Sequence, residues 1–227
     1  MGGPVSDFSR DVTGIGALAD DLRRELYLFV ASQPAPVGRD QAAKALGVPP
    51  HQAKFHLDRL EDAGLLESDY VRLSGRSGPG AGRPAKTYHR RAEEISVSLP
   101  DREYALAGEL MATAIDDAAD HGTPIAQALG HAARTRGEDI GAAAAGTGTP
   151  LQRANDSLRT LGYEPRIEDD LLVMGNCPFH ALTKVHPRLV CGMNLALLGG
   201  VSDQLGGLTT ALDPAAGRCC VTMRATT

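Results

Sequence analysis

The sequence is poor in aromatic residues, carries no excess of positive charge and lacks any long apolar run. Its 227 residues include no Trp, and aromatic residues make up 4%, so a core has to be built from aliphatic side chains. The formal net charge of −5 excludes binding of nucleic acid through bulk positive charge, but it allows a local basic surface. No apolar run approaches the about 20 residues that span a bilayer. Residues 1–10 do not resemble a signal peptide. We therefore expect a cytoplasmic protein with no membrane contact.

Cysteine is distributed very unevenly. Residues 1–176 contain none, and all four cysteines follow, at Cys177, Cys191, Cys219 and Cys220. In a cytoplasmic chain such thiols are more often reduced groups, metal ligands or redox groups than structural disulfides. The C-terminal part of the chain is therefore a candidate metal or redox site.

The N-terminal part has the helical pattern of a DNA-binding module. Residues 1–17 are polar and are predicted as a flexible arm. Apolar residues from Leu18 to Val30 recur at steps of three and four, which predicts an amphipathic helix. A second helix is predicted over residues 39–47. A third begins at Pro50, where proline loses no hydrogen bond, and runs to about Ala63.

A basic hairpin is predicted after the third helix. Residues 68–88 have strand-like ends around a Gly- and Pro-rich middle at 74–84, and residues 70–92 contain six Arg and Lys side chains but no acid. Helices followed by a basic hairpin are typical of a winged helix-turn-helix, here over residues 18–95. A flexible linker is the alternative for residues 74–84.

The third helix is predicted to enter the DNA major groove. Its outward side chains suit base edges, since Gln bonds adenine, Lys reaches guanine and an aromatic ring packs on a thymine methyl. Phe55 could instead pack in the core. Arg59, farther along, suits a phosphate. The predicted DNA-binding residues are Arg39, His51, Gln52, Lys54, Phe55, Arg59, Arg76, Arg83 and Lys86.

This part of the chain resembles a known family. Residues Leu46–Leu66 look like the helix-turn-helix core of ArsR-type winged-helix regulators, and Gly82–Tyr88 look like their wing. The resemblance covers about residues 18–92. It implies a transcriptional regulator that binds a double-stranded DNA operator as a homodimer.

The rest of the chain is predicted as a helical region followed by an α+β domain. Residues 96–149 are interpreted as a connector or dimerisation region with helices near 100–118 and 124–145. The apolar side chains of the first helix form either a dimer seam or intramolecular core; they are Leu106, Leu110, Met111 and Ile115. Residues 150–227 combine two helices with strands and form the candidate sensor. The predicted fold class is therefore α+β.

The cysteines have the chemistry of a metal site without a standard spacing. Thiolates are soft ligands for zinc and iron–sulfur clusters, yet the ligands here would converge from a loop, a helix start and a terminal strand. A terminal strand is predicted near Cys219–Arg224. If Cys219 and Cys220 both lie in it, they point to opposite faces, and only one joins the site unless a bulge intervenes. His180 or His186 could complete a zinc site. Alternatively, the cysteines are packed as small apolar residues near an organic effector pocket.

The C-terminal domain is also similar to that of SufR-type regulators, winged-helix repressors of iron–sulfur assembly operons. The matching segments are Cys177-Pro178, Pro187–Cys191 and Gly217–Val221. This resemblance implies a [4Fe–4S] cluster held by these cysteines.

Together these observations predict a regulator and not an enzyme. The chain has neither a phosphate-binding Gly-rich loop ending in Gly-Lys-Ser/Thr nor a Gly-x-Ser-x-Gly elbow. We expect a dimeric transcriptional repressor whose operator affinity follows the iron–sulfur, metal or redox state of the cysteine domain. The alternatives are a regulator that responds to zinc or to a small organic effector, with structural cysteines, and an architectural DNA binder.

Overall fold

The computed structural model describes residues 4–71, 84–144 and 146–226, without the side chains of residues 4–7. It divides into two compact units, which meet in the chain between Val97 and Ser98. Each unit contains helices and a sheet, so the predicted α+β class is confirmed.

In its described residues, the first unit contains four helices and a small antiparallel sheet with strand order β1-β3-β2. Its elements are α1 (Pro4–Ala17), α2 (Asp21–Ser32), β1 (Val37–Gly38), α3 (Arg39–Leu46), α4 (Pro50–Asp62), β2 (Leu66–Val71) and β3 (Ala85–Arg90). Strands β2 and β3 pair from Leu66↔Arg90 to Val71↔Ala85, which is the hairpin expected of the wing.

Local signals in the sequence set the bounds of these helices. The Asp20 carboxylate accepts a hydrogen bond from the Arg23 backbone N–H at 2.9 Å and caps the start of α2. Gly47 has φ +68° and ends α3 in the left-handed conformation that glycine adopts without strain. Pro50 is the first residue of α4. The core beneath these helices is aliphatic apart from Tyr88, and its largest buried side chains are Leu26, Leu57, Leu60, Leu66 and Tyr88.

Residues 4–17 differ from the expected flexible arm, because they form helix α1. Phe8, Val12 and Ile15 are spaced four and three residues apart, as on one face of a helix, but each is about 45% exposed. An apolar stripe that is so short and so weakly buried is difficult to recognise in a sequence among polar residues and glycines.

Over residues 98–144 and 146–226, the second unit combines five helices with a four-stranded antiparallel sheet of order β4-β5-β7-β6. Its elements are α5 (Tyr104–His121), α6 (Ile125–Ala143), α7 (Pro150–Arg159), β4 (Pro165–Glu168), β5 (Leu171–Met174), α8 (His180–Val185), α9 (Pro187–Leu205), β6 (Leu208–Leu212) and β7 (Val221–Ala225).

Helices α5 and α6, which we expected to form a connector, belong to the core of this unit. Leu106 and Leu110 of α5 are buried in one cluster with residues of α9, whereas Ile115 is exposed. Helices α6 and α9 approach so closely that a Cβ on Gly137 would lie 1.9 Å from the Leu197 carbonyl oxygen, and one on Gly200 2.0 Å from that of Arg134. Most of the α5 stripe therefore serves intramolecular packing.

Candidate functional site: nucleic-acid interface and cysteine cluster

Helix α4 presents a continuous exposed face that carries the side chains predicted to read DNA. Ala53, Leu57 and Leu60 point into the core, while the opposite face exposes His51, Gln52, Lys54, Phe55 and Arg59. The Phe55 ring is 54% exposed, so its alternative placement in the core is wrong. The Arg59 guanidinium lies 5.6 Å from the centroid of that ring. His56, the next residue, takes the buried position instead.

Three of the predicted DNA-binding cations line one cleft. Arg39 at the start of α3, Lys54 on α4 and Lys86 on β3 all border a cleft of about 410 Å³. Arg39 is exposed, with its Nε 3.4 Å from Asp40 Oδ1. The predicted wing residues Arg76 and Arg83 lie outside the described residues.

A carboxylate on α4 organises two of these cations. The Asp58 carboxylate accepts hydrogen bonds from Lys54 at 2.5 Å and from Lys86 at 2.9 Å. It also accepts one from the buried Tyr88 hydroxyl at 2.7 Å. Burial opposes ionisation of Asp58, but these hydrogen bonds outweigh it and lower the Asp58 pKa to about 2. Lys86 also donates to Glu61 at 2.5 Å.

These contacts give Lys86 a structural role beside any DNA contact. Burial alone would lower the pKa of Lys86, but hydrogen bonds to Glu61 and Asp58 raise it above the ordinary lysine value. The Lys86 ammonium group therefore links strand β3 of the wing to the carboxylates of helix α4. We had not singled out Asp58, Glu61 or Tyr88 from the sequence, although the four-residue spacing of Lys54 and Asp58 is the spacing of a helical ion pair.

The cysteines lie on three separate parts of the second unit. Cys177 follows β5 in a loop, Cys191 is in the second turn of α9, and Cys219 and Cys220 come just before β7. The expectation that Cys219 and Cys220 lie in a strand is wrong, because β7 begins at Val221. The strict alternation of a strand therefore does not apply to them.

Each of the four thiols lies near at least one other thiol. We call these four free thiols the cysteine cluster. Hydrogen bonds from Cys177 and then Cys220 to the thiolate lower the Cys219 pKa. The pKa values of Cys177 and Cys220 rise, chiefly because they donate to Cys219. The Cys219 thiol therefore loses its proton more readily than the thiols of Cys177 and Cys220.

A buried polar chain supports Cys219. Asn194 on α9 is fully buried, and its Nδ2 donates to Cys219 Sγ at 3.2 Å. The hydroxyl of Tyr163, also fully buried, donates to Asn194 Oδ1 at 2.5 Å. Buried polar groups are costly unless they are hydrogen-bonded, and this chain satisfies both residues. Nothing in the sequence distinguishes Tyr163 or Asn194 from ordinary core and helix residues.

The predicted histidine ligands stand apart from this arrangement, since His180 at the start of α8 and His186 before α9 are both exposed. Within the described ranges, no group of three or more His, Cys, Asp or Glu side chains has a geometry that could hold a metal ion. The donor chemistry of four thiols fits zinc or an iron–sulfur cluster, but their positions are not those of ligands around one ion.

Comparison with known proteins identifies the first unit. Residues 18–69 match a family model described as a helix-turn-helix domain, a stretch that contains α2, α3 and α4. The chain therefore contains a DNA-binding helix-turn-helix domain, in agreement with the predicted winged helix. The match does not extend to residues 150–227, whose similarity to SufR-type regulators stays a prediction. No curated protein and no solved structure matches the chain. In the described part of the chain, no helix is long and apolar enough to cross a membrane.

Proposed function

We propose that this chain is a transcriptional repressor whose affinity for a double-stranded operator depends on the state of the cysteine cluster. The observation that carries the proposal is the presence, in one chain, of a helix-turn-helix domain and of four interacting free thiols in a separate unit. The helix-turn-helix domain would bind the operator, and the thiols would respond to oxidation or to metal.

The exposed face of α4 suits a major groove. The Gln52 amide can bond an adenine edge through two hydrogen bonds, and the Phe55 ring can contact a thymine methyl. Arg59 is better placed for a phosphate, and Arg39, Lys54 and Lys86 line a cleft beside α4. We propose that the protein binds as a homodimer, which matches two α4 helices to an inverted repeat.

Substitutions on α4 test this assignment with a duplex selected from a random-sequence library. Gln52→Ala should reduce affinity for the selected duplex about 10-fold or more and relax specificity at one base pair. Arg59→Ala should weaken binding to all duplexes and reduce the salt dependence by about one counterion. Arg24→Ala, which removes an exposed arginine of α2, is the control. Equal binding by all three variants would contradict the assignment.

The cysteine cluster is proposed to hold a thiophilic metal centre through Cys177, Cys191 and one of Cys219 and Cys220. The thiols would have to move closer together when the group binds, because their positions in the described residues do not form a metal site. An iron–sulfur cluster is the favoured group, and when bound it supplies a centre that is sensitive to oxidation and to iron supply. Zinc is the alternative. Cys219, whose pKa is lowered by hydrogen bonds from its neighbours, is the natural first ligand, and the Asn194 amide donates to its sulfur.

Anaerobic purification with an absorption spectrum and analysis of iron, sulfide and zinc tests this centre. Brown protein with iron and sulfide supports the cluster, and the double variant Cys177→Ser with Cys191→Ser should lose both the colour and the regulated difference in DNA affinity. Colourless protein with about one zinc per chain would favour the usual four-ligand zinc site. Protein that stays metal-free after reconstitution would refute a metal centre and direct the search to organic effectors.

A further inference from the structure

The chain enters the second unit along residues 98–103, and this segment is bonded to the loop that carries Cys177. Nη1 of Arg102 donates to the Asn176 side-chain oxygen at 2.5 Å and to the Cys177 carbonyl oxygen at 3.2 Å. The backbone N–H of Glu103 donates to the Pro178 carbonyl at 3.2 Å. Both partners of each bond belong to the second unit.

Asn176 completes this attachment from the other side. Its buried amide Nδ2 donates to the Asp101 carbonyl at 3.0 Å and to the Gly162 carbonyl at 2.6 Å. The fit is close, because a Cβ on Gly162 would lie 2.6 Å from the Asp101 Cβ. Three consecutive residues, 101–103, are therefore joined to three consecutive residues, 176–178. We call this arrangement the entry clamp.

Cys177 is the one member of the entry clamp whose side chain also belongs to the cysteine cluster. Its carbonyl is held by Arg102, and its thiol interacts with Cys219. Cys177 therefore connects its thiol and one acceptor of Arg102 within a single residue. Only a few residues separate Arg102 from Val97, the last residue of the DNA-binding unit. Coupling between sites requires such a contiguous set of contacts that can change together.

We propose that the entry clamp, with Arg102 as its central positioning residue, transmits the state of the cysteine cluster to the chain that leads into the DNA-binding unit. The proposal rests on the proposed function, since it explains how the thiols could control operator affinity. It assigns Arg102 no part in binding either DNA or a metal.

The test compares DNA affinity in two states of the full-length protein. The dissociation constant for the library-selected duplex is measured for reduced, metal-free protein and for protein reconstituted anaerobically with ferrous iron and sulfide. The ratio of the two constants is the coupling factor, which we expect to be about 10 or more in the unsubstituted chain. Arg102→Ala should bring it below about 2, with iron content and spectrum unchanged. Arg166→Ala, which removes an arginine that pairs with exposed Glu168, should retain the full factor.

Arg102→Lys gives a second test that keeps the positive charge. A lysine lacks the planar fork that serves several acceptors at once, so we expect an intermediate coupling factor. Hydrogen exchange of residues 98–104 should also respond to reconstitution in the unsubstituted chain and not in Arg102→Ala.

The possible outcomes separate the two proposals. If the unsubstituted chain and Arg102→Ala show the same coupling factor above 1, the entry clamp proposal is overturned and the proposed function stands. If Arg102→Ala no longer takes up iron, the clamp builds the site instead of transmitting its state, which also overturns the proposal. If the unsubstituted chain shows a coupling factor of 1, the proposed function itself fails.

Discussion

Replacing Asp58 with asparagine tests the ion-pair network that fixes the wing strand to α4. The substitution keeps the size and shape of the side chain but removes the negative charge shared by Lys54 and Lys86. The fall of the Asp58 pKa from 3.8 to about 2 would correspond to about 2.4 kcal/mol of stability, at about 1.4 kcal/mol per pKa unit. Because the carboxylate is partly open to solvent, screening reduces this figure to about 1.4 kcal/mol. We therefore expect amides of α4 and β3 to exchange about tenfold faster in Asp58→Asn.

Hydrogen exchange followed by mass spectrometry measures this difference in the full-length protein, with α9 peptides as an internal reference. Asp62→Asn, which removes an exposed carboxylate from the same helix, controls for the change of net charge. A group whose pKa is lowered by folding stabilises the protein fully above its unfolded pKa. The difference in exchange rate between Asp58→Asn and the unsubstituted protein should therefore be largest above about pH 4 and vanish as the pH falls to about 2. If Asp58→Asn exchanges no faster than Asp62→Asn at neutral pH, the network does not stabilise the wing.

Two further predictions concern the second unit. Gly200→Ala places a Cβ 2.0 Å from the Arg134 carbonyl and should destabilise the unit by about 3 kcal/mol, seen as about 100-fold faster exchange in α9. Gly192→Ala in the same helix places a Cβ with no atom within 4 Å and should be neutral or stabilising. Similar effects of Gly200→Ala and Gly192→Ala on exchange would refute the close contact of α6 and α9. Asn194→Leu removes a donor to Cys219 and should raise the pKa of that thiol, measured by the ultraviolet absorbance of thiolate against pH in metal-free protein. Ser202→Ala, at a buried position of α9 whose hydroxyl donates to the Leu208 carbonyl, should leave the titration unchanged. An unchanged titration in Asn194→Leu would show that the amide does not act on Cys219.

The helix-turn-helix could be predicted from the sequence because its signals are local. The 3.6-residue period decides that Leu57 and Leu60 face inward and Gln52 faces outward. Gly47 and Pro50 mark the end of one helix and the start of the next. Phe55 stayed ambiguous because an apolar side chain at the edge of a helical face suits either a core or a ligand. Only the packed structure decides that it is exposed.

Which surfaces the helices pack against, and which thiols lie together, could not be predicted from the sequence in the same way. The stripe of α5 shows that one face of a helix is apolar, but it does not show whether the opposing surface belongs to the same chain. The contact of Gly137 with α9 joins residues about 60 positions apart and leaves no local pattern. The opposite faces of Cys219 and Cys220 depend on a strand that begins two residues before Val221, where the strand actually begins. Strand ends of this kind depend on tertiary hydrogen bonds.

The most direct test of the central claim measures operator affinity and cysteine state on one preparation. Protein purified anaerobically is divided, one half is stripped of metal with a chelator under reducing conditions, and both halves are titrated against the library-selected duplex at the same salt concentration. We predict dissociation constants that differ by about tenfold or more, and no difference when Cys177→Ser with Cys191→Ser is treated in the same way. Equal affinities of the two halves, from a preparation in which the analysis finds iron or zinc, would contradict control of DNA binding by the cysteine cluster.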